Sequence, residues 1–219
     1  MDVLQKFIDW LPILLDATKV TVLLTLASVS CGLLLGVFVA IGEIQKFKLV
    51  RWFCKGYVFF FRGTPLLMQL FFIYYGLPYI SDKLVIKDAF LAAFIAYSLN
   101  SAAYLAEIIR AAIQSIDKGQ FEAGKSLGMT YGQTMKLVII PQSIRRLIPP
   151  VGNEFNMVIK DTSLVSTIAL MDLLKKTTQI MSSASTFLVF IPSACIYLVI
   201  TAILTFVFHK LEKKFSVYE

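Results

Sequence analysis

Five long apolar stretches, at about 17–42, 51–77, 86–113, 147–170 and 185–209, decide what this 219-residue chain can fold into. A helix that crosses a bilayer needs about 20 mostly apolar residues. Within hydrocarbon every backbone N–H and C=O must find a partner inside the protein, which leaves helices and closed barrels as the spanning structures. Runs of this length are helices, so the chain is expected to be all-α, a polytopic membrane protein with five transmembrane helices. The charge content agrees: 16% of residues are charged and 58% hydrophobic, whereas a soluble domain carries roughly a quarter charged. The connections are short except for one segment at about 114–146. Residues 17–219 therefore form one membrane domain, with no space for a separate soluble catalytic domain.

The first 16 residues differ from the rest. They carry Asp2, Asp9 and Asp16, with no basic start and no small-residue cleavage pattern, unlike a removed signal peptide. The run VLQKFIDWLPIL fits a short amphipathic helix at the membrane interface, anchored by Trp10. Cys31, Cys54 and Cys195 are odd in number and lack metal-ligand spacing, so they are expected to pack. His209, the sole histidine, closes the last apolar stretch and reads as an interfacial side chain.

Orientation follows from Lys and Arg. With the N-terminus outside, the inner segments hold Lys46, Lys48, Arg51 and Lys55, the cations from Arg110 to Arg146, and Lys210, Lys213 and Lys214. The outer segments hold the sparser Lys6, Lys19, Lys83, Lys87, Lys175 and Lys176. The positive-inside rule then predicts N-out, C-in, with 114–146 in the cytoplasm. The net charge of +7 is explained by topology, without a nucleic-acid partner.

The segment 114–146 has its own punctuation. Asp117 and Gln120 match a capping box, predicting a helix from Lys118 to about Leu127, stopped by Gly128 in a left-handed cap. Thr130 and Gln133 repeat the box and open a second helix, which Pro141 is expected to end. Phe121, Leu127, Met129 and Met135 supply an apolar surface. It either packs on its own bundle or docks a cytoplasmic partner by laying a helix in a groove.

The run Glu122-Ala123-Gly124, then Gly128, Val138, Ile140 and Pro141, closely resembles the EAA loop of bacterial ABC importer permeases. Gly124, Val138 and Ile140 depart from that pattern by small-for-small and aliphatic-for-aliphatic changes. The blocks FRGTPLLMQLFFIYYGLP, AYLAEIIRAAIQSIDKGQFEAGKSLGMT, PQSIRRLIPPVGNEF and KDTSLVSTIAL are similar to the polar amino-acid uptake permeases, histidine/arginine/glutamine type. The likeness covers about residues 17 to 214. It implies a type I ABC importer permease fold in the bacterial cytoplasmic membrane, paired with a second copy or a close paralogue. It further implies a cytoplasmic ABC ATPase dimer and an external amino-acid-binding protein as partners. By the same resemblance Phe121, Glu122, Ala123 and Gly128 meet the ATPase, and Pro141 closes that segment. ATP and Mg would be bound by the ATPase, since the chain has no G-x-x-x-x-G-K-[ST] loop.

Polar residues at membrane depth are the candidates for substrate contact, because an ionisable side chain at the bilayer centre costs at least about 2.5–3.5 kcal/mol. Gly63 and Pro65 can interrupt the second stretch and free backbone groups to line a cavity beside Arg62 and Thr64. Arg62 is either an ion-pair partner or a ligand for a substrate carboxylate. Asn100 either bridges helices or faces a cavity. In GNEFNMVIKDTSL, a rotation of about 100° per residue places Asn153, Glu154, Asn156, Lys160 and Asp161 within an arc of about 160°, expected to face the bundle interior. Asn153 and Glu154 are assigned to an ammonium or guanidinium. Asp161 is grouped with Lys160 for assembly or, alternatively, substrate contact, and Glu107 is expected to pair with Arg110. The small residues Ser28, Gly32, Gly36 and Ala40, and the series Ala89, Ala93 and Ala92, Ala96, are expected to serve helix packing.

The expected function is the channel subunit of an ATP-driven importer of polar, notably basic, amino acids, working by alternating access. A glutamine or cystine permease of the same type is the alternative. A secondary transporter would leave the EAA segment without a task and would show inverted repeats, which are not evident. A membrane enzyme would need a constellation that one histidine, without H-E-x-x-H or G-x-S-x-G, does not supply.

Overall fold

A computed structural model describes residues 3–215, and among these every regular element is helical. Three helices are long and apolar enough to cross a membrane: α1 (Val3–Ile44), α4 (Ala89–Gln114) and the helix closing the chain, Phe187–Phe215. A fourth crossing is broken, with α2 (Lys48–Gly63) and α3 (Leu66–Ile80) meeting at 105°. The fourth predicted stretch, 147–170, folds within α7 (Ile140–Asp161) and a 3₁₀ turn, Thr162–Ile168. Its Arg145, Arg146, Glu154, Lys160 and Asp161 keep it from the composition of a simple apolar span.

The centre of the bundle is the seam between α1 and α4. Ser28, Gly32, Gly36 and Ala40 are all buried, Gly32 and Gly36 against Ser101, Ala102 and Ala106 of α4 and Ala40 in one cluster with Ala106. A Cβ on Gly32 would stand 2.8 Å from the Ser101 Cβ, and one on Gly36 3.0 Å from the Ala102 carbonyl oxygen. The two backbones approach as closely as hydrogen side chains permit, which is how helices associate in lipid, where apolar burial drives little.

Residues 3–44 are one continuous helix with Pro12 inside it, and Trp10 and Leu14 pack under Leu173, Ile180 and Val189. The segment 171–184 lies between two of the expected spans. It holds α8 (Leu173–Ala184), capped by Asp172, whose carboxylate accepts from the backbone N–H of Leu174 at 3.1 Å and Lys175 at 2.8 Å. The Leu173 N–H donates to Thr21 Oγ1 at 3.2 Å, tying the start of α8 to α1. The closing helix, α9 (Phe190–Phe215), packs beside α7 through Phe155 and Phe208, whose ring centroids are 5.3 Å apart.

Beyond α4 lie α5 (Gly119–Ser126) and α6 (Tyr131–Thr134), with Gly128 between them at φ +75°. Thr130 and Gln133 form the reciprocal capping box expected of them. Asp117 caps differently: its carboxylate accepts from the Gly119 N–H at 2.6 Å, with no return bond from Gln120. Pro141 does not end a helix, contrary to expectation. Residues Met135–Ile139 form a π-turn in which the Ile140 N–H bonds Met135, five residues back, and helix continues through Pro141 into α7. The widened turn loosens the ladder where proline has no N–H to donate.

Candidate functional site

The site begins at the break between α2 and α3. Thr64 (φ −118°, ψ 146°) and Pro65 (φ −63°, ψ 134°) are extended, so carbonyls that a continuous helix would satisfy are released inside the membrane domain. One side chain collects them. Gln69 Nε2 donates to the Phe61 carbonyl at 2.9 Å, the Thr64 carbonyl at 3.1 Å and Thr64 Oγ1 at 2.8 Å. From α4, Asn100 Nδ2 donates to the same Phe61 carbonyl at 3.1 Å and to Gln69 Oε1 at 3.0 Å. Thr64 Oγ1 donates back to Phe60 at 2.8 Å. Asn100 thus bridges two elements and also lines the cavity beside them. Gln69 is 6% exposed. Sequence reading passed over it, although a lone amide inside LLMQLFF, four residues after a helix-breaking proline, is a usable signal.

Below the break is a cavity of about 350 Å³, lined by Arg62–Leu66, by Asn100 and Tyr104 of α4, and by Glu154, Met157, Val158 and Asp161 of α7. That is within the size of small-molecule sites, roughly 300–1,000 Å³. Five of the six residues expected at the substrate converge here: Arg62, Thr64, Asn100, Glu154 and Asp161. Tyr104 was missed, yet it stands one turn from Asn100 and so on the same face.

The charges are sorted across the cavity. Arg62 stands on one wall, its guanidinium 5.4 Å from the centre of the Tyr104 ring and Nη1 3.8 Å from Glu107 Oε1. Glu107 is held by Arg110, through Nε to Oε2 at 3.0 Å and a second, shorter contact, and Arg110 Nε also stands 3.9 Å from Glu43 Oε2. On the facing wall are Glu154, 5% exposed, and half-buried Asp161. Neither makes an ion pair within 4.0 Å among the described residues. Asp161 is placed by its backbone, whose carbonyl accepts from the Tyr97 hydroxyl at 2.6 Å.

The polar arc of α7 does not share one environment. Glu154, Met157 and Asp161 point into the cavity, whereas Asn153 does not. Asn153 lies about 100° round the helix from Glu154, in a separate cleft with Asn156, Thr205 and Glu212. Asn156 Nδ2 donates to Thr205 Oγ1 of α9 at 3.1 Å, and Lys160 is exposed. The expected pairing of Asn153 with Glu154 in one site is therefore corrected: an arc of about 160° is wide enough to reach two surfaces.

At the other end, the segment after α4 makes a small rigid platform. Phe121 stacks on Tyr131 with centroids 5.7 Å apart and planes inclined 14°. Gly124 is buried against Thr134, where a Cβ would meet Thr134 Oγ1 at 2.6 Å. That contact accounts for glycine at the second alanine position of the EAA pattern. Glu122, Ala123 and Gly128 are exposed along α5 and its cap, and Leu127 is 81% exposed. Pro141 stands apart, at the start of α7. Arg146 ties the platform to the bundle by donating to the Ser115 carbonyl.

Residues 32–217 match the family described as binding-protein-dependent transport system inner membrane component. The chain is 41% identical to the L-cystine transport system permease protein TcyB of Bacillus subtilis (strain 168), over 94% of this chain and 88% of that one. It is 38% identical to the arginine transport system permease protein ArtQ of the same organism, over 94% of both. A crystal structure of an amino acid ABC transporter with histidines superposes with a TM-score of 0.90 at 38% identity, covering 98% of this chain and 99% of that one. Such permeases are membrane channel subunits, and nucleotide is bound and hydrolysed by separate ATPase subunits. With the broken helix, the polar cavity and the exposed platform in place, the chain belongs to this family and is the permease subunit of an amino-acid ABC importer.

Proposed function

We propose that the substrate is a basic amino acid, held in the cavity between the α2–α3 break and α7. The observation that carries this reading is the charge count of the walls: two carboxylates, Glu154 and Asp161, face one guanidinium, Arg62. An amino acid has one carboxylate, which Arg62 can take in a bidentate, charge-assisted contact. Its α-ammonium answers one carboxylate, and a cationic side chain answers the other. A neutral side chain would leave one of the two acids, Glu154 being largely buried, without a partner, which is costly. Asn100 and Thr64 orient the ligand. Asn153 is withdrawn from the substrate contacts.

Phe121, Glu122, Ala123 and Gly128 form the docking surface for the ATPase, with Pro141 at its base. Two permease chains, identical or closely related, rock between inward-open and outward-open states as the ATPase dimer closes. The N-terminus lies outside and the C-terminus inside, with residues 1–16 at the outer interface and 17–219 forming the permease domain. The cystine permease among the relatives gives the alternative substrate class its weight. Uptake of radiolabelled arginine into proteoliposomes holding the full complex, competed with lysine, histidine, glutamine and cystine, separates the two. The basic amino acids compete if the reading is right, and dominant competition by glutamine or cystine overturns it.

A further inference from the structure

The first turns of α2 have three distinct edges. Tyr57 and Val58 face the bundle, the Tyr57 hydroxyl donating to the Leu99 carbonyl at 2.6 Å, and Cys54 fits against Gly42. At about 100° per residue, Lys48, Arg51 and Lys55 share an arc of roughly 60° beside that packed edge. Next comes an apolar edge: Trp52 is 76% exposed, Phe53 72% and Leu49 71%. Lys48, Leu49, Arg51, Trp52 and Lys55 enclose an open groove of about 570 Å³. Among the described residues, none of Lys46, Lys48, Arg51 and Lys55 makes an ion pair within 4.0 Å, whereas Arg62 and Arg110 deeper in the bundle do.

This surface stands at the same end of the bundle as the coupling platform, since Ile44, just before α2, lines one cavity with Ile113 and Phe121. It therefore sits where a bilayer surface meets the protein. Cations without protein partners, beside an indole and a phenyl ring, match a lipid that is anionic at its head and apolar below it. An acidic patch on a soluble protein would answer the cations and leave Leu49, Trp52 and Phe53 uncovered. We propose that the start of α2 is a binding site for an anionic phospholipid of the leaflet on the coupling side, its phosphate on Lys48, Arg51 and Lys55 and its acyl chain along Trp52. This inference does not depend on the identity of the transported amino acid.

The chain supplies its own reporter, because it has two tryptophans, and Trp10 lies about 50 Å along α1 from Ile44. The assembled complex is placed in nanodiscs containing dansyl-labelled phosphatidylglycerol or phosphatidylcholine, and energy transfer from tryptophan is measured. The difference in transfer between the Trp10→Phe protein and the same protein with Trp52→Phe added isolates Trp52. If the Trp10→Phe protein does not fold, the difference between the unaltered protein and Trp52→Phe gives the same signal. Phosphatidylglycerol should act at concentrations at least about tenfold lower than phosphatidylcholine, given roughly fivefold per nearby cation. The triple variant Lys48→Gln, Arg51→Gln, Lys55→Gln removes that preference, and Trp52→Phe removes the signal. Equal transfer from both lipids, a preference that survives the triple variant, or one present in the permease alone and abolished by adding the ATPase would overturn the proposal.

Discussion

Two polar edges of α7, separated by about a quarter-turn, differ in what they meet. Glu154 and Asp161 face a cavity walled by an arginine and a broken helix, with no ion-pair partner within the described residues. Asn156 instead meets a hydroxyl on α9, and Asn153 and Lys160 are exposed beside it. Polar side chains in one helix thus divide into those that line a cavity and those that join or border another helix. Composition does not separate the two groups; direction does.

That division can be broken by substitution. Glu154→Gln removes a charge from the ligand edge while keeping its shape, and uptake of a cationic amino acid should fall about 10- to 100-fold, since a hydrogen bond to a charged group contributes roughly 1.5–3 kcal/mol. Initial-rate uptake in proteoliposomes measures it, with unchanged co-purification of the ATPase as the control for assembly. Gln69→Ala tests the wall opposite. It leaves the Phe61 carbonyl with Asn100 alone and strips the Thr64 carbonyl of its partner. An unsatisfied buried group costs about 1–3 kcal/mol, so the complex should melt earlier and KM should rise with kcat little changed. Gly32→Val addresses the seam behind both walls. Its new atoms meet Ser101 and Ala102, and a loss of about 1–3 kcal/mol should appear as reduced folded yield in detergent without altered substrate preference. On the second edge, Asn156→Ala removes one inter-helix hydrogen bond, which in membranes averages about 0.6 kcal/mol. Thermal melting should shift slightly, and competition by arginine should stay within about twofold.

Much of this architecture was legible because it rests on local rules. Hydrophobic length located three crossings and the broken fourth, Gly128 and the Thr130 box located the platform, and Gly63–Pro65 located the break. Residues set by long-range geometry were harder to see. Gln69 acts through carbonyls that exist as free acceptors once the helix bends, and Asn153 is separated from Glu154 by the placement of α9. Pro141 was misread because a π-turn upstream absorbs its missing donor, a compensation without a sequence signature. The helix α8 was overlooked through its polar composition, although Asp172 marks its cap.

The central claim is that the Glu154–Asp161 wall selects a second positive charge. Equilibrium binding of radiolabelled arginine to the purified permease–ATPase complex in nanodiscs, without the binding protein, isolates that wall from upstream selection. Lysine should displace arginine at concentrations near those of arginine itself, glutamine and cystine should displace little, and Glu154→Gln should lose this preference. Equal displacement by glutamine, or a preference for arginine that persists in Glu154→Gln, would contradict it.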